Sequence, residues 1–228
     1  MSPEPASGAD STAVRDFLRA LRARVAGLPQ TTALPEQPAS ALRAVALDED
    51  LPARFAAAAQ AAGCQVRRCT EHDWPAAVCE ILHGHAAHEV VVEPQAGTAL
   101  TAERAAALQD ALAADGIAAV TERDDETLFT ADASITGVRS AIAETGTLIC
   151  VSSAATARGT TLIPPVHIAL VAGAQLVADL FDAFEHIGGW GALPANVSLI
   201  TGPSKTADIE GILVTGVHGP GTVHVILL

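Results

Sequence analysis

Residues 89–120 read EVVVEPQAGTALTAERAAALQDALAADGIAAV. Glu89–Val92 is an unbroken apolar strand. Thr101 is a hydroxyl N-cap for a helix that runs to Ala114, with Glu103 and Arg104 in its first turn. Gly116 ends the helix, and Ile117–Val120 is a second apolar strand. Strand, helix and strand in so short a span form a crossover unit, which joins parallel strands.

The same alternation extends toward the N-terminus. Leu51–Ala62 has helical pattern and stops at Gly63, Cys64–Arg68 reads as a strand, and Asp73–His83 reads as a helix behind Asp73 as N-cap. Toward the C-terminus strands dominate: Ser140–Ala143, Thr147–Val151, Val166–Val171, Val197–Thr201, Ile212–Thr215 and Val223–Leu228. Between them Gln175–Ile187 has helical period, with Leu176, Leu180, Phe184 and Ile187 on one face and Gly188-Gly189 as its stop. The fold class is therefore α/β, with a mainly parallel sheet covered by helices. Ser11–Gly27 is an amphipathic helix with Phe17, Leu18, Leu21 and Val25 opposite Arg15, Arg19, Arg22 and Arg24. A Pro/Thr/Gln-rich linker, Leu28–Ser40, follows it. Residues 1–40 thus form a helical arm and linker, and residues 41–228 the main domain.

Composition narrows the function. The chain has 228 residues, 50% of them hydrophobic and 17% charged, which is a globular balance. A net charge of −13 opposes nucleic acid, whose phosphates need a basic surface, and with 3% aromatics base-stacking platforms are scarce. Local donors can still hold a small anion in an acidic protein. The four cysteines, Cys64, Cys69, Cys79 and Cys150, lack the close pairing that iron–sulfur clusters or structural zinc use. They read as reduced thiols, so no metal is expected on this chain. Met1–Asp10 lacks the basic start of a leader, and Leu162–Leu180 is interrupted by Pro164, Pro165, His167, Gln175 and Asp179. A cytoplasmic protein without membrane insertion is expected.

Three short motifs could carry chemistry. In Ala143-Glu144-Thr145-Gly146-Thr147, a carboxylate at a strand end beside glycine could be a nucleophile or general base, or a turn residue facing water. Gly202-Pro203-Ser204-Lys205-Thr206-Ala207-Asp208 follows a strand and could open a helix whose free N–H groups cradle an anion. It could equally be a plain N-cap. Gly216-Val217-His218-Gly219-Pro220-Gly221 is a turn whose histidine could meet substrate or only solvent. His83, His85 and His88 read as a solvated helix-to-strand loop rather than a metal site. The dinucleotide signature G-x-G-x-x-G is absent.

In order, AETGT at 143–147, Arg158 with LIPPVHIALV to Val171, GPSKTADIE at 202–210 and GVHGP at 216–220, followed by HVILL, resemble the LUD-domain proteins. The likeness covers Ala131–Leu228 well and the preceding elements loosely. It implies a three-layer α/β/α sandwich similar to the sugar-phosphate isomerase and CoA-transferase fold. It also implies a part in oxidising L-lactate to pyruvate, beside partner subunits that hold the iron–sulfur clusters. This chain would then be a non-redox subunit binding a small anionic ligand. The resemblance marks Glu144 and His218 as catalytic. As ligand-binding it marks Gly146, Thr147, Arg158, His167, Gly202, Pro203, Ser204, Lys205, Thr206, Asp208, Glu210 and Gly219. The alternative is an independent transferase or isomerase using Glu144 on an acyl or phosphosugar substrate.

Overall fold

The computed structural model describes residues 11–26, 43–45, 50–122, 124–207 and 213–228. The chain divides into two units, Met1–Ala41 and Leu42–Leu228. In the first, α1 (Ser11–Val25) carries the predicted apolar stripe, with Phe17 and Val25 exposed. The predicted stop at Gly27 and the linker Leu28–Ser40 lie outside the described residues.

The second unit starts with α2 (Leu51–Ala62), β1 (Gln65–Arg68), α3 (Trp74–Gly84), β2 (Glu89–Glu93), α4 (Ala102–Ala114) and β3 (Ala118–Val120). Then come α5 (Asp125–Thr130), β4 (Ala133–Gly137), β5 (Ser140–Ile142), β6 (Thr147–Ser152) and β7 (Val166–Val171). It ends with β8 (Leu176–Val177), α6 (Leu180–Gly188), β9 (Asn196–Ile200), β10 (Lys205–Ala207), β11 (Leu213–Thr215) and β12 (Thr222–Leu227). Ile212, the expected start of β11, lies outside the described residues.

The central sheet has six strands in the order β1-β12-β7-β4-β2-β3, and every neighbouring pair is parallel. On one face α3 and α4 bury Leu82, Leu108 and Leu112 against Val90, Ile135 and Ile168. On the other, α2 brings Phe55 and Ala59 onto Ala169, Val223 and Val225. A four-stranded sheet, β8-β5-β6-β9, shares that second face through Ala141, Leu148 and Cys150. The outer face of this smaller sheet packs Ile142 and Ile149 on Ala183 of α6. The architecture is the expected α/β one, with the second sheet added beside α2. Among the described residues no helix is long and apolar enough to cross a membrane.

Caps explain the helix starts. Asp50 accepts from Ala53 N at 3.1 Å, and Thr101 accepts from Arg104 N at 3.3 Å. Asp73 stands before α3 but makes no cap bond; its carboxylate accepts instead from the Thr70 hydroxyl at 2.5 Å.

Among the elements that differ from the sequence reading are β4 and α6. Ala133–Gly137 is a central strand with every residue buried, although Ser134, Thr136 and Gly137 give it no apolar pattern. The helix expected over Gln175–Ile187 begins only at Leu180. Leu176 and Val177 instead pair with Ala141 and Ile142, and Asp179 caps the helix by accepting from Asp182 N at 3.0 Å. Leu180 and Phe184, placed by periodicity on one face, are 42% and 60% exposed.

Candidate functional site

The three motifs are distant in sequence but contiguous in space. The AETGT turn joins β5 to β6, where the Glu144 N–H donates to Ala178 O at 2.9 Å and the side chain is half-buried. Gly146 lies against α2: a Cβ there would overlap Ala59 N and sit 2.6 Å from Ala58 C. The Thr147 hydroxyl meets Thr145 at 2.6 Å and Thr201 at 2.7 Å, tying this turn to the end of β9.

The GPSKT segment continues that contact. A Cβ on Gly202 would overlap Ala62 O, and Pro203 packs over Gly63 at the C-terminus of α2. Among the described residues of this segment no helix starts. Lys205 and Thr206 instead enter β10, which pairs antiparallel with β11. Lys205 Nζ donates to Ala62 O at 3.2 Å, so the positive charge sits at the negative end of α2. Because that bond is exposed, Lys205→Met should lower stability by under about 1 kcal/mol. A thermal melt checks this, and a larger loss contradicts a simple capping role.

Ser204 links GPSKT to GVHGP. Ser204 N donates to Pro220 O and Gly216 N donates to Ser204 O, both at 2.9 Å. Gly219 has Ser204 and Leu162 O as close neighbours, and Gly221 N donates to Pro165 O at 2.9 Å. His218 is exposed on this loop, and Arg158 is exposed on the 3-10 turn Arg158–Thr161. Asp208 and Glu210 lie outside the described residues. The structure therefore joins AETGT, GPSKT and GVHGP into one run of turns along α2 and the amino ends of β7 and β12.

His167 is elsewhere. Its imidazole is fully enclosed on β7, with Nε2 2.9 Å from Thr136 Oγ1 and no hydrogen-bond partner for Nδ1. Burial pushes its pKa down to about 4. His224 on β12, facing His85 across 2.9 Å, is also held at about 4, by burial first and His85 second. Unfolding releases both imidazoles to their ordinary value near 6.5. Between about pH 4 and 6.5 the unfolded chain thus binds more protons, so stability is full above that window and falls as pH drops through it. His167 alone contributes about 3 kcal/mol to this loss. Urea midpoints should fall from pH 7.5 to pH 5, and His167→Gln should flatten the slope; equal midpoints contradict the assignment.

The sequence reading missed the cluster at the carboxyl end of β2. Glu93, 5% exposed, accepts from Ala157 N at 2.9 Å, and Gln95 Nε2 reaches Val151 O and Thr156 Oγ1 at 3.4 Å. Arg139, just past β4, lies over Trp190 with Cζ 5.2 Å from the ring centroid. The signal available was a charged residue closing an apolar run, as in Glu89–Glu93. A cavity of about 690 Å³, on which Trp190 also borders, is lined by Arg43, Leu51, Leu176, Asp182 and Glu185. Arg43 is held there by Asp182 at 2.5 Å and Asp179 at 3.4 Å, so this cavity offers an anion little net positive charge.

With α2, both sheets and all three turns placed, residues 52–228 match the LUD domain as one continuous segment. The chain belongs to the LUD domain family. It is 41% identical over 102 residues to Lactate utilization protein C of Shouchella clausii, covering 43% of this chain and 44% of that protein. The Bacillus subtilis protein of the same name is 36% identical over 102 residues, covering 43% and 42%. The matched segment thus spans less than half the length of these two relatives. An uncharacterised protein of Neisseria meningitidis serogroup B is 32% identical over 173 residues, covering 73% of this chain and 72% of that one. The LUD fold is shared with the crystal structure of a DUF162 family protein from Deinococcus radiodurans, at TM-score 0.53 and 23% identity over 78% of this chain and 96% of that one.

Proposed function

We propose that this LUD chain serves lactate utilisation in the cytoplasm as a non-redox component. In this reading it binds a small anion while iron–sulfur partner subunits carry the electrons from L-lactate to their acceptor. The observation that carries the reading is the 41% identity to a protein named for lactate utilisation, within a family match over residues 52–228.

The thiols support the division of labour. Burial raises Cys150 to about 12 and Cys79 to about 11, and it raises Cys64 as well. Thiolates are the form that binds iron, and these environments oppose it. Cys79 belongs to the core under α3, whereas Cys64 and Cys150 belong to the core under α2.

Reduction of a dye by L-lactate tests the proposal. The purified chain alone should give none, and adding it to the iron–sulfur partners should restore the full rate. Lactate-dependent reduction by the isolated chain contradicts the non-redox role.

A further inference from the structure

The edge strand of a sheet presents a row of unpaired N–H and C=O groups, which proteins guard with short length, charge or proline. Most edges here are guarded. At one end of the central sheet β1 carries Arg67 and Arg68, and at the other end β3 has only three residues. At one edge of the smaller sheet β8 has two residues, and the separate pair of β10 and β11 has three in each strand. β9 is the exception. Asn196–Ile200 has five residues, none of them charged, proline or glycine, and among the described residues it pairs only with β6.

The lack of charge extends beyond the strand. From Gly188 to Ser204 the sequence GGWGALPANVSLITGPS holds no Asp, Glu, Lys, Arg or His. In a buried strand such as β4 that composition is ordinary, because a charge there would lose its hydration. β9 is instead half-buried, and the apolar side chains of Leu193 and Leu199 are exposed. Strand alternation puts Val197 and Leu199 on the outer face of the smaller sheet. Val197 packs there against the cluster of Ile142, Ile149 and Ala183. Leu199 is the register partner of Ile149, yet it stays open to solvent.

We propose that β9 is the docking edge for a second copy of this chain, the two β9 strands pairing antiparallel across a two-fold axis. An open edge takes an extended strand, because a strand answers its alternating N–H and C=O groups. Charge selects the strand of an identical chain. Each copy carries a net charge of −13, so two copies repel one another over much of their surface. The uncharged stretch around β9 lets them meet without setting like charges opposite each other. A two-fold contact needs a patch that fits itself. With all five residues overlapped, the axis passes through Ser198. Val197 then lies across from Leu199 of the other copy on the outer face, and Asn196 across from Ile200 on the inner face. The first pair takes exposed apolar surface of Leu199 out of water, and the two smaller sheets become one. The proposal goes beyond the lactate reading and does not depend on what the chain binds.

Sedimentation velocity of the full chain over a range of concentrations tests this, since dimer should replace monomer as concentration rises. Leu199→Lys brings a like charge from each copy to the axis and should weaken dimerisation at least about tenfold. Phe129→Lys replaces an equally exposed apolar residue on α5 and should leave dimerisation unchanged. Circular dichroism confirms that each variant is folded. A second readout places the contact: the two copies of residue 199 lie diagonally across the pair, about 7–8 Å apart. A short bismaleimide should therefore capture Leu199→Cys as a covalent dimer, and should not capture Phe129→Cys or the wild-type chain. A monomer at every concentration overturns the proposal, whether or not another protein takes the edge. A dimer undiminished in folded Leu199→Lys, or a Leu199→Cys chain that is not captured, overturns it as well.

Discussion

Replacing Gly146 with alanine is expected to lower stability by about 4 kcal/mol, near the upper end for single substitutions. The backbone at Gly146 has φ 67°, where a side chain alone costs about 1–3 kcal/mol. The new Cβ would also overlap Ala59 N and lie 2.6 Å from Ala58 C, both backbone atoms of α2. The helix cannot step back, because Phe55 and Ala59 are fully buried beneath it. At this chain length the melting temperature should drop by about 10 °C. Gly202→Ala should behave alike, since its φ is 78° and its Cβ would overlap Ala62 O one turn further along. Gly188→Ala is the matched control, with nothing within 4 Å of the added Cβ. A change under about 1 kcal/mol in Gly146→Ala contradicts the docking of the AETGT turn on α2.

Ending the chain at Gly221 should abolish folding. The lost strand β12 lies between β1 and β7, so its removal takes away two parallel ladders and leaves β1 with no neighbour. Val223, Val225, Ile226 and Leu227 are at most 3% exposed and serve the cores on both faces of the sheet. Burying each such side chain is worth about 1.5–3 kcal/mol, which together matches the entire stability of an ordinary domain. Circular dichroism and thermal melting of the truncated chain check this outcome. A cooperative melt would falsify the central position of β12.

Local pattern made much of the fold legible. The run EVVVE, the Thr101 cap and Gly116 marked a crossover unit without reference to any distant residue. Strand β4 was hidden because its neighbours, not its own pattern, make it a strand. Thr136 is polar yet buried, which is tolerable because its hydroxyl meets the equally buried His167. The start of α6 was misplaced for a similar reason. Leu176 and Val177 fit a helical period, but the edge of β5 takes them as a strand.

The candidate site was legible as turns and not as contacts. Gly146, Ser204 and Gly219 announce bends in sequence. That they share α2 as a common support follows from approaches such as Thr147 to Thr201, across 54 positions, which no local pattern encodes. The state of Arg139 was less visible still. Its place over Trp190 joins two segments that no local pattern links.

The central claim is that this chain is required for lactate utilisation without carrying the electrons. It is tested most directly by the rate of L-lactate oxidation in a host strain from which this chain alone is deleted. The account predicts that oxidation is lost, with the iron–sulfur subunits still present, and returns on complementation with the intact chain. Oxidation at the normal rate in the deletion strain would contradict it.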